Sequence, residues 1–126
     1  MTMETDLKSF VTGGSALAAQ IGTRMYPLQL PQEPTLPALT YFQVDDPPEY
    51  AHEGQAGIHH PRWQFDVWAS TYLKAKQVAD LLIARLHAWH SSNASYNAFI
   101  GAEQDFSEAE RELYRVSVDA IIWCRD

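Results

Sequence analysis

Histidine, carboxylate and thiol side chains are the groups in this chain that could ligate a metal or move a proton, and their spacing decides between such roles. His87 and His90 stand three positions apart, close enough to share one face of a helix, and His59-His60 could complete a site. Neither pair belongs to a helical H-E-x-x-H arrangement, and no carboxylate stands beside them at ligand spacing. Histidines at a helix end also serve as partners of its C-terminal dipole, the reading this spacing favours. Cys124 is the single cysteine, which excludes an internal disulfide and a multi-cysteine zinc cage and fits a reducing compartment. On an apolar strand near the chain end it reads as an inert thiol. Asp45, Asp46, Glu49 and Glu53 form an acidic stretch without the D-x-D-x-D-G spacing of a calcium loop, so solvation is expected there. Asp66 and Asp119 each have an arginine available, which favours structural ion pairs over acid–base work. Gly13-Gly14 opens neither glycine-rich phosphate-binding pattern. No catalytic residue, metal or cofactor is expected.

The elements that carry these residues follow from periodicity. Met3 to Ile21 is helical in character, with Thr5 or Asp6 as N-cap, Leu7, Phe10 and Val11 on one face, and a break at Gly13-Gly14. A short helix over Ser15 to Gln20 should end at Gly22 in a left-handed conformation. Between Tyr26 and Pro48 the prolines forbid a helix, and Leu36 to Val44 is the strand-like run. Asp45 to Pro61 has no periodicity and reads as a long mobile loop. Arg62 to Trp68 alternates as a half-buried strand. Ser70 or Thr71 then caps a helix of about five turns, carrying Ala75, Val78, Ala79, Leu82, Leu86 and Trp89. Tyr96 to Glu103 is a further strand. An acidic connection (Glu103, Asp105, Glu108, Glu110, Glu112) leads into a last strand, Leu113 to Cys124, with Tyr114, Val116, Val118, Ala120 and Ile122 on its apolar face.

The whole composition agrees with this. At 126 residues, 46% hydrophobic and 20% charged, residues 1-126 are expected to form one domain with an ordinary core. A net charge of -7 opposes the clustered positive footprint of a nucleic-acid or membrane-surface binder. No apolar run is long enough to span a membrane, and the start of the chain does not read as a secretory signal.

Chain direction makes the last strand antiparallel to Arg62–Trp68, and the pattern suggests that they are neighbours. With Gln64 opposite Ser117, Arg62 falls opposite Asp119 and Asp66 opposite Arg115, while Phe65 meets Val116 and Trp63 meets Val118. Opposite charges across strands contribute roughly 0.2–1 kcal/mol each. The expected fold class is α+β: a mostly antiparallel sheet of four to five strands, with one long helix and an N-terminal helical segment packed on one face. The other face carries Trp68, Ile121 and Trp123 beside the charged pairs, and an apolar patch with a polar rim often marks contact with another chain.

These residues also resemble a family. Arg24-Met25-Tyr26-Pro27, Leu30-Pro31-Gln32 and Leu36-Pro37-Ala38-Leu39-Thr40-Tyr41 are similar to the opening of the tail-completion, or tail-terminator, proteins of long-tailed bacteriophages and prophages. Arg62-Trp63-Gln64-Phe65-Asp66-Val67-Trp68 with Ala69, Tyr72 and Ala75 resembles the central strand and helix start of that family. Gln104-Asp105 and Leu113 to Asp119 resemble its closing strand, so the likeness runs from about Ile21 to Trp123. The resemblance implies a structural, non-enzymatic protein, present in the host cytoplasm during assembly and then in the virion. It implies a ring, typically a hexamer, that caps the tail tube and joins it to the head connector, with no sequence-specific nucleic acid and no membrane as partner. A head-to-tail ring needs two different surfaces on each subunit. Trp68, Trp123, Arg62, Asp66, Arg115 and Asp119 are the expected interface residues. The loop with Asp45, Asp46, Glu49, Tyr50 and Glu53 is expected to order on contact with tube or connector. The alternative is a small ligand- or metal-binding α+β domain that uses the loop and helix-end histidines.

Overall fold

The structure, a computed structural model, describes residues 3–45, 50–51, 54–55, 58–93, 95–108 and 113–125. Helix α1 (Met3–Thr12) places Leu7 and Val11 in the core and Phe10 against it, the i, i+3, i+4 stripe of an amphipathic helix. It begins at Met3, so Thr5 and Asp6 lie inside the first turn rather than at the cap, where Glu4 and Asp6 complement the helix dipole. After Gly13-Gly14 the chain turns into α2 (Ser15–Ile21), which buries Leu17 and Ile21. Gly22 ends it at φ 59°, its N–H donating to Ala18 O at 2.8 Å.

Four strands in the order β1 (Met25–Pro27), β2 (Ala38–Asp45), β6 (Arg62–Ala69) and β8 (Leu113–Arg125) form the body of a six-stranded sheet. Among the described strands only the β1–β2 pair is parallel. Strand β7 (Tyr96–Glu108) pairs with β8 along one edge. The two-residue β5 (Ile58–His59) takes the other edge beyond β6, past Pro61, whose carbonyl accepts from Ile122 N at 3.0 Å. Helices α3 (Tyr72–His87) and α4 (Trp89–Ser92) join α1 and α2 in a layer on one face. The core lies between, where Val78, Leu82 and Leu86 of α3 meet Phe65, Val67, Val116, Val118 and Ile122, all fully buried. The α+β sandwich of one mostly antiparallel sheet under one helical layer is therefore the architecture, with β5 and three-residue β1 raising the strand count to six.

Several boundaries depart from the periodicity. The long helix carries its cap as expected, Thr71 Oγ1 accepting from Lys74 N at 3.2 Å, but stops at His87, and Trp89 opens the separate turn of α4. Strand β7 continues through Glu103, Asp105 and Glu108, which the sequence pattern places in a connection; Glu110 and Glu112 lie outside the described residues. The cause is a bulge: the β7–β8 register shifts between Ile100 and Ala102, so the residue parity changes at Gly101 and one alternating pattern cannot run through. Beyond it Glu103 and Asp105 face the helices, where Lys76 Nζ binds both carboxylates at 2.9 and 3.3 Å.

Strands β6 and β8 are antiparallel neighbours, in a register two residues from the expected one. Asp66 stands opposite Ser117, Gln64 opposite Asp119 and Phe65 opposite Val118. An even slip returns each side chain to its own face, so the apolar alternation is satisfied by both registers. The segment expected as a non-periodic loop contains β5 and a small hairpin of β3 (Tyr50–Ala51) with β4 (Gly54–Gln55). Pairings of two residues are too short to produce a periodic signal.

Candidate assembly interface on the open sheet face

The helical layer covers one face of the sheet, and among the described residues no helix lies on the other. Strand alternation sends Thr40 and Phe42 of β2, Gln64, Asp66 and Trp68 of β6, and Arg115, Ser117, Asp119, Ile121 and Trp123 of β8 to that face. Phe99 and Phe106 of β7 join them as register partners of Ile121 and Arg115.

The charged groups occur as closed pairs, but diagonally. Arg62, whose register partner is Ile121, reaches across to Asp119, donating from Nε at 3.0 Å to both carboxylate oxygens and from Nη2 to Oδ2. That hydrogen bond, with the adjacent negative charge, raises the Arg62 pKa further. Arg115 Nη1 lies 3.6 Å from Asp66 Oδ2. Asp66 is buried, and its Oδ1 accepts from Ser117 Oγ at 2.7 Å and from Gln64 Nε2 at 3.1 Å. Both arginine–aspartate pairs drawn from the sequence therefore form, with partners offset along the strands, which side chains as long as arginine can span.

Aromatic side chains frame this polar band at both ends. At one end the Arg115 guanidinium lies 4.3 Å from the Phe106 ring centroid and 5.4 Å from that of Trp68, while Trp68 Nε1 donates to Thr40 Oγ1 at 2.9 Å. Leu28, Gln29 and Leu30 rise beside them and make the rim of a groove of about 410 Å³. At the other end Phe99, Ile121 and Trp123 are exposed, and the His60 ring packs on Trp123 with centroids 4.7 Å apart. The contribution of Phe99 and Phe106 is absent from the sequence reading. They stand seven positions apart, a spacing that strict alternation would send to opposite faces, and the Gly101 bulge between them brings both to this one.

Of the expected partner-contact loop, Asp45 is exposed at the end of β2 and Tyr50 contributes backbone to β3. Asp46, Glu49 and Glu53 lie outside the described residues. Among the described residues the histidines do not converge on one site. His59 is the register partner of Cys124, whereas His60 turns to Trp123 on the opposite face, as successive strand residues must. His90 Nδ1 lies 3.0 Å from Tyr96 O, and the break at Ala88 separates it from His87. Among the described residues no three His, Cys, Asp or Glu side chains are grouped to hold a metal ion, and no helix is long and apolar enough to cross a membrane.

The blocks of sequence around Arg24 and Pro37 also acquire a physical role. Arg24 donates from Nη2 to Gln20 O at 2.8 Å and from Nε to Pro37 O at 3.0 Å, fastening the end of α2 to the start of β2, where the Leu36–Pro37 peptide is cis. The proline-rich segment thereby rises over the open face and supplies the groove's rim.

This fold is similar to a solved chain from the "Virion of native gene transfer agent (GTA) particle", with a TM-score of 0.70 over 95% of both chains at 15% sequence identity. No curated protein matches the sequence. Residues 7–125 match the family described as Tail completion protein gp17, a span that includes the groove, both ion pairs and the aromatic ends of the open face. The chain therefore belongs to the tail-completion family of phage virion structural proteins.

Proposed function

We propose that this chain is a single-domain structural subunit that forms a ring, a hexamer on the tail, which caps the tail tube and joins it to the head connector. The observation that carries the reading is the open sheet face. Phe99, Phe106, Ile121 and Trp123 are exposed there around two neutralised ion pairs, in a chain whose net charge is -7. Apolar area with few free charges is what the core of a protein–protein contact requires, and it suits neither a phosphate backbone nor a polar substrate. Trp68, Trp123, Arg62, Asp66, Arg115 and Asp119 belong to that contact surface. The segment from Asp45 to His60 is the element that meets tube or connector. No catalytic step is assigned to the subunit. The similar chain from a gene transfer agent virion supports a place in the particle, reached after synthesis in the host cytoplasm.

Light scattering over a range of concentrations, with and without the purified tail-tube protein of the same virion, tests the reading. A closed ring, alone or once tube protein is added, supports it. A strict monomer with no affinity for tube or connector proteins overturns it.

A further inference from the structure

A head-to-tail ring needs two different, complementary patches on each subunit. Apart from Val44 at the end of β2, the exposed large apolar side chains among the described residues divide into two such groups. Leu28 (74% exposed), Phe99, Phe106, Ile121 and Trp123 belong to the open face and its rim, while Tyr72 (47%) and Leu73 (68%) stand on the first turn of α3, on the other side of the sheet. The first group is concave where Leu28, Phe42, Trp68 and Arg115 line the groove of about 410 Å³. The second projects.

Their charges are complementary. Within the groove wall Arg115 Nε is buried without a hydrogen-bond partner among the described residues, and the 3.6 Å approach of Arg115 to Asp66 is longer than a hydrogen bond. Although Nε is buried, the Arg115 side chain is 26% exposed, so a carboxylate from another copy meets its accessible part. Beside Leu73 two carboxylates, Glu103 and Asp105, share one ammonium, Lys76, and the Asp105 side chain is 43% exposed. The projecting patch therefore brings excess negative charge to a groove whose cation, Arg115, stands 3.6 Å from Asp66 without a hydrogen bond to it.

Their heights also match. Tyr72 donates to Asp105 Oδ2 at 2.7 Å, and Asp105 is the register partner of Val116, the residue after Arg115. Groove and projection thus sit at one level along the strands, on opposite sides of the sheet. Joining them sets neighbouring copies side by side with little shift along the strand direction.

From these three relationships we infer that Leu73 and Tyr72 of one copy dock in the groove lined by Leu28, Phe42, Trp68 and Arg115 of the next. The inference rests on the ring reading above and assigns its two contacting surfaces. The carboxylates around Asp105 meet the guanidinium of Arg115 in the neighbouring copy, and the apolar pair fills the groove beside Trp68.

Two experiments, each run on the chain alone and with purified tail-tube protein, test it. Leu73→Lys changes an exposed residue, so circular dichroism and thermal midpoint should match the parent, while assembly should weaken roughly tenfold or more because an anchor at an interface centre is lost and a positive charge faces Arg115. In a Cys124→Ser background, oxidation of the double variant Gln29→Cys/Leu73→Cys should yield a covalent ladder ending at the ring size, and each single variant should yield none. A parent that forms rings while Leu73→Lys assembles normally, or while the double variant gives no ladder, overturns this interface and leaves the ring reading standing. Dimers from either single variant indicate like-to-like packing and also overturn it. A parent that never assembles removes the ring reading and this inference together.

Discussion

Arg85 crosses the junction of α1 and α2 so closely that a β-carbon at Gly14 would lie 2.7 Å from its Cδ and Nε. The arginine is held in place, its Nε donating to Phe10 O at 2.9 Å and its guanidinium 3.6 Å from the Phe10 ring centroid. Gly14 has φ -78°, a conformation alanine adopts freely, so the obstacle is steric. Gly14→Ala should lower stability by about 1–3 kcal/mol, read from urea unfolding. In an Arg85→Ala background the same change should cost less than about 0.5 kcal/mol. Equal costs in the two backgrounds refute the account.

Asp66 is the group on which the polar band of the open face converges, accepting from Ser117 and Gln64 and pairing in charge with Arg115. Asp66→Ala removes it and strands the Ser117 hydroxyl and the guanidinium. A destabilisation of about 1–3 kcal/mol is expected. Asp66→Asn keeps an acceptor for Ser117 and should recover part of it. Chemical denaturation of both variants gives the comparison.

Tyr96 places its hydroxyl on Asp6 and stacks on Trp89 with centroids 4.2 Å apart. Burial, then the hydrogen bond to Asp6, pushes its pKa well above 10.0. A raised folded-state value means that the unfolded chain loses this proton first. The contribution is therefore complete below about pH 10 and is lost as pH rises beyond it. Lys76, raised mainly by its hydrogen bond to Glu103, acts in the same direction. Tyr96→Phe should flatten the alkaline fall in stability, and ultraviolet titration should find one phenol fewer among those ionising late.

Trp123 is 41% exposed, and its described ring contact is His60. Trp123→Ala should change the stability of the isolated subunit by no more than about 1 kcal/mol. If the open face is the contact surface, the same variant should weaken ring assembly measurably by light scattering. A large loss of subunit stability with unchanged assembly contradicts that role.

Much of the fold is legible in the residues because burial leaves a periodic trace. Trp63, Phe65 and Val67 announce β6, Val116, Val118 and Ala120 announce β8, and Val78, Leu82 and Leu86 announce the helix between them. Thr71 as cap and Gly22 as stop are legible from their chemistry alone. What escapes is whatever periodicity does not encode. The β6–β8 register hides because a two-residue slip keeps each face intact. The outer half of β7 hides behind the Gly101 bulge, and with it Phe106 and the Lys76 contacts. The six expected interface residues are legible as one face with two ion pairs, yet the groove needs the Leu28–Leu30 rim, which no local pattern places beside Trp68. The Gly13-Gly14 pair had no legible reason until Arg85, distant in sequence, was seen lying against it.

A strand as long as β7, paired on one side only among the described residues, would ordinarily invite a second β7 to zip alongside it and start a fibre. The Gly101 bulge breaks the regular spacing of its free N–H and C=O groups and twists the two halves out of line, while Glu103 and Asp105 add repulsion along the outer half. The backbone of this edge thereby opposes strand-to-strand pairing between copies, leaving side chains to govern how copies meet.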